Sequence, residues 1–449
     1  MTSARTIAFE VLTSVQTQGA YADVLLSALL ARNPDLSPAE KRLATELVFG
    51  ILRNQTLLDH YLAQAGSFRP ERTSASTAAA LRLGAYQIMF LHNVPDFAAV
   101  NETVQIAKRL CGDKASGFVN ALLRQLIRRK TSLEPPQLAL DADDAEFISS
   151  LALVFSFPEQ LIARWGSRLG RKELVQLVAA LNQAPPKTIR VNVTKTTPGD
   201  LAVKLRQRGL EATESLFCPS ALRLLGQGSP EDTPEWREGL FTIQDEGAQL
   251  VCLLLEGLEP KSIVDVCAGV GQKLTHLAEL FPKVLVLGGD IHPRKVKDAR
   301  RQADRLGLKN VRLFASDLLS SALRRGAFDL LLLDAPCSGT GTIRRHPEIR
   351  WRIRPAQLAQ LARLQLRMLE SCARLVRPGG TMLYSTCSLE PEENQNVITK
   401  FLKRNAGFRA QSPRQLPDLL RASEDPLGVT ILPHVLDCDG MFFSLLVRP

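Results

Sequence analysis

The chain has 449 residues, 45% of them hydrophobic and 23% charged, with a formal net charge of +10. That length exceeds one ordinary core and predicts two or three domains of a soluble globular protein. No apolar run is long enough to span a bilayer, and the basic excess is compatible with a nucleic-acid partner without requiring one.

The start, Met1-Thr2-Ser3-Ala4-Arg5, leads into an amphipathic pattern rather than a signal-peptide core, so a cytoplasmic location is expected. Eight cysteines occur without a C-x-x-C pair, which argues against a zinc site and a disulfide framework. No metal is expected, and most thiols are read as small core residues, Cys111, Cys252 and Cys372 among them.

Residues 1–130 read as successive helices. Ile7, Val11, Leu12 and Val15 recur at helical spacing. Ser37-Pro38-Ala39-Glu40 predicts a capping box that opens a helix carrying Leu43, Leu47, Val48 and Ile51. Asp96 is placed as the cap of a helix that runs to Leu110 and stops near Gly112. Phe118-Val119-Asn120-Ala121-Leu122-Leu123-Arg124 sits in the next helix. Arg124, Arg128, Arg129 and Lys130 are either a phosphate-binding face or a solvated helix end favoured by the dipole. Thr131–Asp144, rich in proline and acid and without periodicity, is the expected linker.

Residues 145–240 hold a short helical segment through Phe155 and Trp165, then a strand at Ile189–Val193. Thr197-Pro198-Gly199-Asp200 opens a helix closed by Gly209, and Leu222–Leu225 is a further strand, which together make a small α+β unit. Gln244-Asp245-Glu246-Gly247 leads into an apolar helix, Ala248–Leu255. Beyond it strands are expected at Ile263–Val266, Val284–Leu287, Val311–Phe314, Phe328–Leu333, Thr381–Tyr384 and Phe442–Val447, with helices at Gln357–Leu375 and Pro391–Leu402. Strands alternating with helices predict a mostly parallel, doubly wound sheet.

The first of those strands ends in Asp265-Val266-Cys267-Ala268-Gly269-Val270-Gly271-Gln272-Lys273. Strand, glycine turn and helix in that order open a nucleotide-type site, although Leu274 breaks the full G-x-G-x-x-G pattern. Asp290 follows the second strand at the distance from which an acid binds ribose hydroxyls, and Asp317 follows the third, where an acid can meet an adenine amino group. No basic phosphate clamp is present. An adenosine ligand without a pyrophosphate fits best, and S-adenosylmethionine is the candidate.

The apolar run Leu330–Leu333 stops at Asp334 and turns through Pro336 to Cys337. The strand at Thr381–Tyr384 ends in Ser385-Thr386-Cys387-Ser388. Chemistry in open α/β sheets collects at the carboxyl edge, so the two thiols are expected to face one pocket beside Asp334. The residues alone do not say which thiol attacks. Arg344, Arg345, Arg350, Arg352 and Arg354, with Trp351 among them, are read as phosphate and stacking contacts to RNA or as a solvated basic helix entrance. His346 shows no partner and takes no role.

Asp334-Ala335-Pro336-Cys337-Ser338-Gly339-Thr340-Gly341, with Tyr384-Ser385-Thr386-Cys387-Ser388 and Pro391-Glu392-Glu393-Asn394, resembles the RNA cytosine-5 methyltransferases. The helical region resembles the NusB antitermination-factor fold, and the likeness runs on to Asp439-Gly440-Met441-Phe442-Phe443. The resemblance implies an all-α NusB-like bundle over 1–130, a linker over 131–144, a small helical and α+β unit over 145–240, and a class I methyltransferase domain, Rossmann-like α/β, over 241–449. It implies S-adenosylmethionine as methyl donor, 16S rRNA as substrate and 5-methylcytosine as product. Cys267, Ala268, Gly269, Val270, Gly271, Gln272 and Lys273 become the loop on the methionine side. Asp290 holds the ribose, Asp317 lies near the adenine, and Asp334 lies between cofactor and base. Cys387 becomes the nucleophile and Cys337 the assisting thiol, and Lys273 joins them and Asp334 in the catalytic set. The first loop departs from the family's Cys-Ala-Ala-Pro-Gly-Gly-Lys-Thr at Gly269, Val270, Gln272 and Leu274. The competing expectations are a non-catalytic RNA-binding or antitermination-type factor, and the same chemistry on tRNA or DNA. A monomer is expected.

Overall fold

The computed structural model describes residues 3–226, 228–320, 322–413, 420 and 424–449. Met1 and Thr2 of the N-terminal reading lie outside them. The chain forms two compact units, one of Met1–Asn182 with Arg345–Arg352 and the other of Gln183–Arg344 with Ile353–Pro449. The expected boundaries at 144/145 and 240/241 do not divide these units. The helices before residue 183 join the first, and the small sheet joins the second.

The first unit is helical. Seven α-helices, Ala4–Gln18, Ala22–Arg32, Pro38–Arg53, Gln55–Ala65, Ala75–Phe90, Asp96–Cys111 and Asp113–Arg129, share one core. Asp144–Val154, Glu159–Gly166 and Arg171–Asn182 follow. Helix Ala75–Phe90 is buried from Thr77 to Ile88, because Ala78, Ala79, Ala80 and Gly84 let neighbours close around it. Arg82 on that helix is satisfied by Asp59 through two bonds of 2.7 and 2.8 Å. The Ser37–Glu40 capping box forms as expected. Asp96 does not cap its helix. Pro95 takes the cap position in extended backbone, and Asp96 enters the first turn, where its charge still suits the dipole.

The second unit holds two sheets. Strands β1 (Lys187–Val191), β2 (Glu211–Glu214), β3 (Ala221–Leu225) and β4 (Phe241–Ile243) pair antiparallel in the order β2-β3-β1-β4. The larger sheet contains β5 (Ile263–Asp265), β6 (Val286–Asp290), β7 (Val311–Ala315), β8 (Phe328–Asp334), β9 (Val376–Thr386), β10 (Arg409–Gln411), β11 (Glu424–Asp425), β12 (Gly428–Ile431) and β13 (Met441–Val447). Its order is β11-β12-β13-β9-β8-β5-β6-β7, with β10 also pairing with β13. The run β9-β8-β5-β6-β7 is parallel, as expected, while β13 and the strands beyond it are antiparallel. Strand order reverses between β5 and β8, so the loops after Asp265 and Asp334 open side by side at the carboxyl edge. Apolar cores cover both faces of this sheet, which is why β8 runs apolar from Leu330 to Leu333 rather than alternating.

Candidate active site

The loop after β5 turns at Gly271, whose φ is +90° and where a Cβ would lie 3.0 Å from that of Ala299, so a side chain is disfavoured. The helix Gln272–Leu280 that follows is anchored from the small sheet. Arg190 on β1, wholly buried, meets Glu279 through two bonds of 2.9 Å, and donates to Gln272 O at 2.8 Å, to Thr275 Oγ1 at 2.9 Å and to Gln244. This brace fixes Lys273, one residue into the helix. Sequence reasoning assigned Arg190 no role, because nothing in a strand of alternating pattern marks which basic residue turns inward.

Asp290 at the end of β6 accepts from Gly269 N at 3.0 Å and from His292 N at 2.8 Å, which ties the glycine loop to β6 and leaves each oxygen a further lone pair. Asp317 accepts from Leu319 N at 2.9 Å beyond β7. Asp265, buried at the end of β5, accepts from Cys267 N at 3.2 Å through one oxygen, and its Oδ2 has no hydrogen-bond partner. Burial, then the nearby Asp334 carboxylate, push its pKa up to about 8. A buried carboxylate oxygen without a donor is an acceptor waiting for one, and a ligand carrying an ammonium group fits it. Burial also drives the Cys267 thiol upward, so it stays neutral beside these acids.

Asp334 ends β8 opposite Ser385 of β9, whose hydroxyl donates to it at 2.8 Å. Lys273 Nζ lies 2.7 Å from its other oxygen. Burial pulls the Lys273 pKa down, but Asp334 outweighs it, and the ammonium is held above its ordinary value. The strand ends therefore present an ion-paired carboxylate to the mouth between β5 and β8.

The two cysteine loops meet. Cys337 Sγ and Cys387 Sγ are 3.3 Å apart. The hydrogen bond with Cys387, burial and the carboxylates nearby push the Cys337 pKa well up, so Cys337 is held as a thiol. The approach is fixed by Glu393, a fully buried residue of the Pro391-Glu392-Glu393-Asn394 segment. Its carboxylate accepts from Ser338 N at 2.9 Å and from Ser338 Oγ in the first loop, from Ser388 Oγ at 2.5 Å in the second, and from Gln365 Nε2 at 2.9 Å. Asn394 donates to Ser388 O at 2.8 Å and accepts from Thr386 Oγ1 at 2.6 Å. Main chain completes the joint, with Gly341 N donating to Cys387 O at 2.9 Å and Gly440 N to Gly341 O at 2.9 Å. A Cβ on Gly341 would lie 2.1 Å from Gly440 O. Glu393, Ser338, Ser388 and Gln365 were not assigned to the site from sequence; the acidic pair in the recognised segment was the available signal.

Two of the arginines after the first loop, Arg344 and Arg350, are placed differently from the RNA-contact reading. Arg344 is buried and donates to Asp437 Oδ1 at 2.9 Å and Ala184 O at 3.3 Å. Arg350 is buried in the first unit, stacked 3.9 Å over the Phe157 ring and bonded to Ser156 O at 3.0 Å and Asn182 Oδ1 at 2.8 Å. Both side chains are buried, with Arg344 Nη2 and Arg350 Nη1 on protein acceptors, so neither lies at the surface as a phosphate contact would. Arg352 is half-buried, donates to Ala20 O and lies over the Tyr21 ring at 5.2 Å. Arg345 and Trp351 are half-buried, and Arg354 is exposed. His346 does have a partner, Asp23, 3.5 Å away. Cys252 and Cys372 are core thiols as expected, whereas Cys111 is only partly buried.

Comparison with known proteins agrees with this architecture. Residues 252–447 match the family described as 16S rRNA methyltransferase RsmB/F, residues 2–128 the NusB family, and residues 157–229 the ferredoxin-like domain of RsmF/B-type methyltransferases. The Synechocystis protein named probable ribosomal RNA small subunit methyltransferase B is 35% identical over 453 residues, covering all of both chains. The crystal structure of PH0851 is similar in fold, with a TM-score of 0.82 and 24% identity over 100% of this chain and 99% of that one. That of NSun6 from Pyrococcus horikoshii with SFG gives a TM-score of 0.58 and 20% identity over 65% of this chain and 98% of that one. With the helical unit, the small sheet and the methyltransferase sheet all matched, and one relative aligned from end to end, the chain belongs to the 16S rRNA methyltransferase RsmB/F family.

Proposed function

We propose that this S-adenosylmethionine-dependent 16S rRNA methyltransferase acts on carbon 5 of a cytosine, through a covalent bond between Cys387 and carbon 6. The observation that carries the reading is the 3.3 Å approach of Cys337 and Cys387 beside the ion-paired Asp334. Bound S-adenosylmethionine supplies an electrophilic methyl group. The Cys267–Lys273 loop, Asp290 and Asp317 would hold it, and the unpartnered Asp265 Oδ2 suits its ammonium.

Carbon 5 of cytosine is a weak nucleophile. Cys387 Sγ adds to carbon 6 as a thiolate, and the electron pair of the carbon 5–carbon 6 bond becomes available at carbon 5. Asp334, steadied by Lys273 and Ser385, hydrogen-bonds the ring edge and favours its protonated, electrophilic form. After carbon 5 is methylated, its proton leaves to a base and the Cys387–carbon 6 bond breaks, returning the electron pair to sulfur. Cys337, held as a thiol 3.3 Å from Cys387 Sγ, would assist that release. The target base must leave its stack to reach these groups. Arg124 and Arg128, exposed one turn apart on helix Asp113–Arg129, are the proposed phosphate contacts in the first unit.

The test is a denaturing gel of protein with 16S rRNA transcript and S-adenosylmethionine. Cys337→Ala should give a slow, protease-sensitive protein–RNA band, and Cys387→Ala should give none. A band in Cys387→Ala alone would exchange the two roles. No band in any lane, with no methyl transfer by wild type, would remove the covalent reading on this substrate.

A further inference from the structure

Away from the catalytic edge, the first unit brings together Asp23, His346 and Glu348, each with one potential donor atom and all within 4.8 Å of one another. Asp23 opens the helix Ala22–Arg32, and the other two stand in the Arg345–Arg352 segment that belongs to this unit. Glu348 is almost wholly buried. One of its oxygens accepts from Ala22 N at 3.1 Å, which orients the carboxylate, and the other, Oε2, has no hydrogen-bond partner. Asp23 Oδ1 is also enclosed and pairs with His346 Nδ1 at 3.5 Å. An enclosed carboxylate oxygen lacking a donor, beside an Asp–His pair, offers a cation three converging ligand atoms. Glu348 also lines a cavity of about 270 Å³ whose other walls include Gln16, Gln55, Arg82 and Arg352.

We propose that Asp23, His346 and Glu348 bind a divalent first-row transition cation, Zn²⁺ or Mn²⁺, which clamps the Arg345–Arg352 segment to the helix Ala22–Arg32. One imidazole beside two carboxylates suits first-row transition cations better than Ca²⁺ or Mg²⁺, which favour all-oxygen shells. Bonds of about 2.0–2.2 Å require the three side chains to close slightly, and the two carboxylate charges balance a divalent ion. Arg350 and Arg352, whose guanidinium groups are already held by Ser156, Asn182 and Ala20, flank the segment without entering the donor set. The expectation of no metal rested on the lack of paired cysteines, and this site uses none.

The experiment titrates chelator-stripped full-length protein with Co²⁺ as a spectroscopic probe, then with Zn²⁺ and Mn²⁺ while following melting temperature. We expect one equivalent of Co²⁺ with visible d–d bands and no thiolate charge-transfer absorption, and a melting temperature that rises with metal concentration. Glu348→Gln, which keeps shape and loses charge, should abolish the equivalent, as should His346→Ala; circular dichroism checks that each variant is folded. A Cys337→Ser, Cys387→Ser double variant should keep it. The proposal falls if no equivalent binds, if binding survives in folded Glu348→Gln and His346→Ala, or if thiolate absorption appears and vanishes with the cysteines.

Discussion

Exchanging Glu393 for glutamine tests how the two cysteine loops are held together. Glu393→Gln preserves volume but turns one acceptor oxygen into a donor, so at least one of Ser338 N, Ser338 Oγ, Ser388 Oγ and Gln365 Nε2 then faces another donor. A hydrogen bond to a buried charged group contributes about 1.5–3 kcal/mol. The serine hydroxyls, 3.1 Å apart, can rotate toward each other, so the expected loss is one such bond rather than four, about 2 kcal/mol. For a unit of this size that lowers Tm by a few degrees. Catalysis should suffer more. If the loops slip by about 1 Å, the rate of adduct formation falls on the order of 100-fold. Single-turnover trapping of the protein–RNA adduct, beside calorimetry, reads both quantities. Removing a negative charge also makes Cys337 easier to ionise, so its alkylation profile should shift to lower pH. An adduct rate within about twofold of wild type, where the rate argument asks for far more, would refute the claim that Glu393 sets the thiol geometry.

Arg190→Met should destabilise the second unit by about 3–5 kcal/mol, because it strands Glu279 in the interior. Cofactor affinity measured by calorimetry should fall with it, and adding Glu279→Met should restore much of the stability; a single variant as stable as wild type would contradict the brace. Asp265 holds its proton to about pH 8 when folded, so it binds more protons folded than unfolded and its contribution to stability declines as pH rises from about 4 to 8. The Tm of Asp265→Asn minus that of wild type should therefore increase across that window, and a flat difference would count against the orphaned carboxylate. Replacing Arg124 and Arg128 together with alanine should weaken 16S rRNA binding and reduce the slope of log affinity against log salt by about 1–2; an unchanged slope would place the RNA elsewhere.

Much of the catalytic sheet was legible because its strands are apolar runs that stop at acids, as β8 does at Asp334. The Ser37–Glu40 cap was legible because the motif is local. β2, Glu-Ala-Thr-Glu, was not, since a short polar edge strand is made by its partner rather than by its own pattern. Arg344 and Arg350 misled for a different reason. Charge in sequence predicts exposure, but Arg350 is desolvated on Phe157 and among carbonyls contributed by residues nearly two hundred positions away. The thiol pair was foreseen from two strand ends, whereas Glu393, which fixes their separation, became visible only when both loops were brought onto one carboxylate.

The backbone bond from Gly440 to Gly341, and from Gly341 to Cys387, gives the segment leading into β13 an importance that its assigned chemistry does not show. Strand β13 carries none of the groups assigned to chemistry, yet it pairs with β9 from Thr381 to Thr386, directly beneath Cys387. A stop codon just before Met441 would leave every assigned catalytic side chain encoded and still take away the strand on which the second cysteine loop is mounted. A change that disturbs β13 is thus a change to the active site, although no group of that strand takes part in the chemistry.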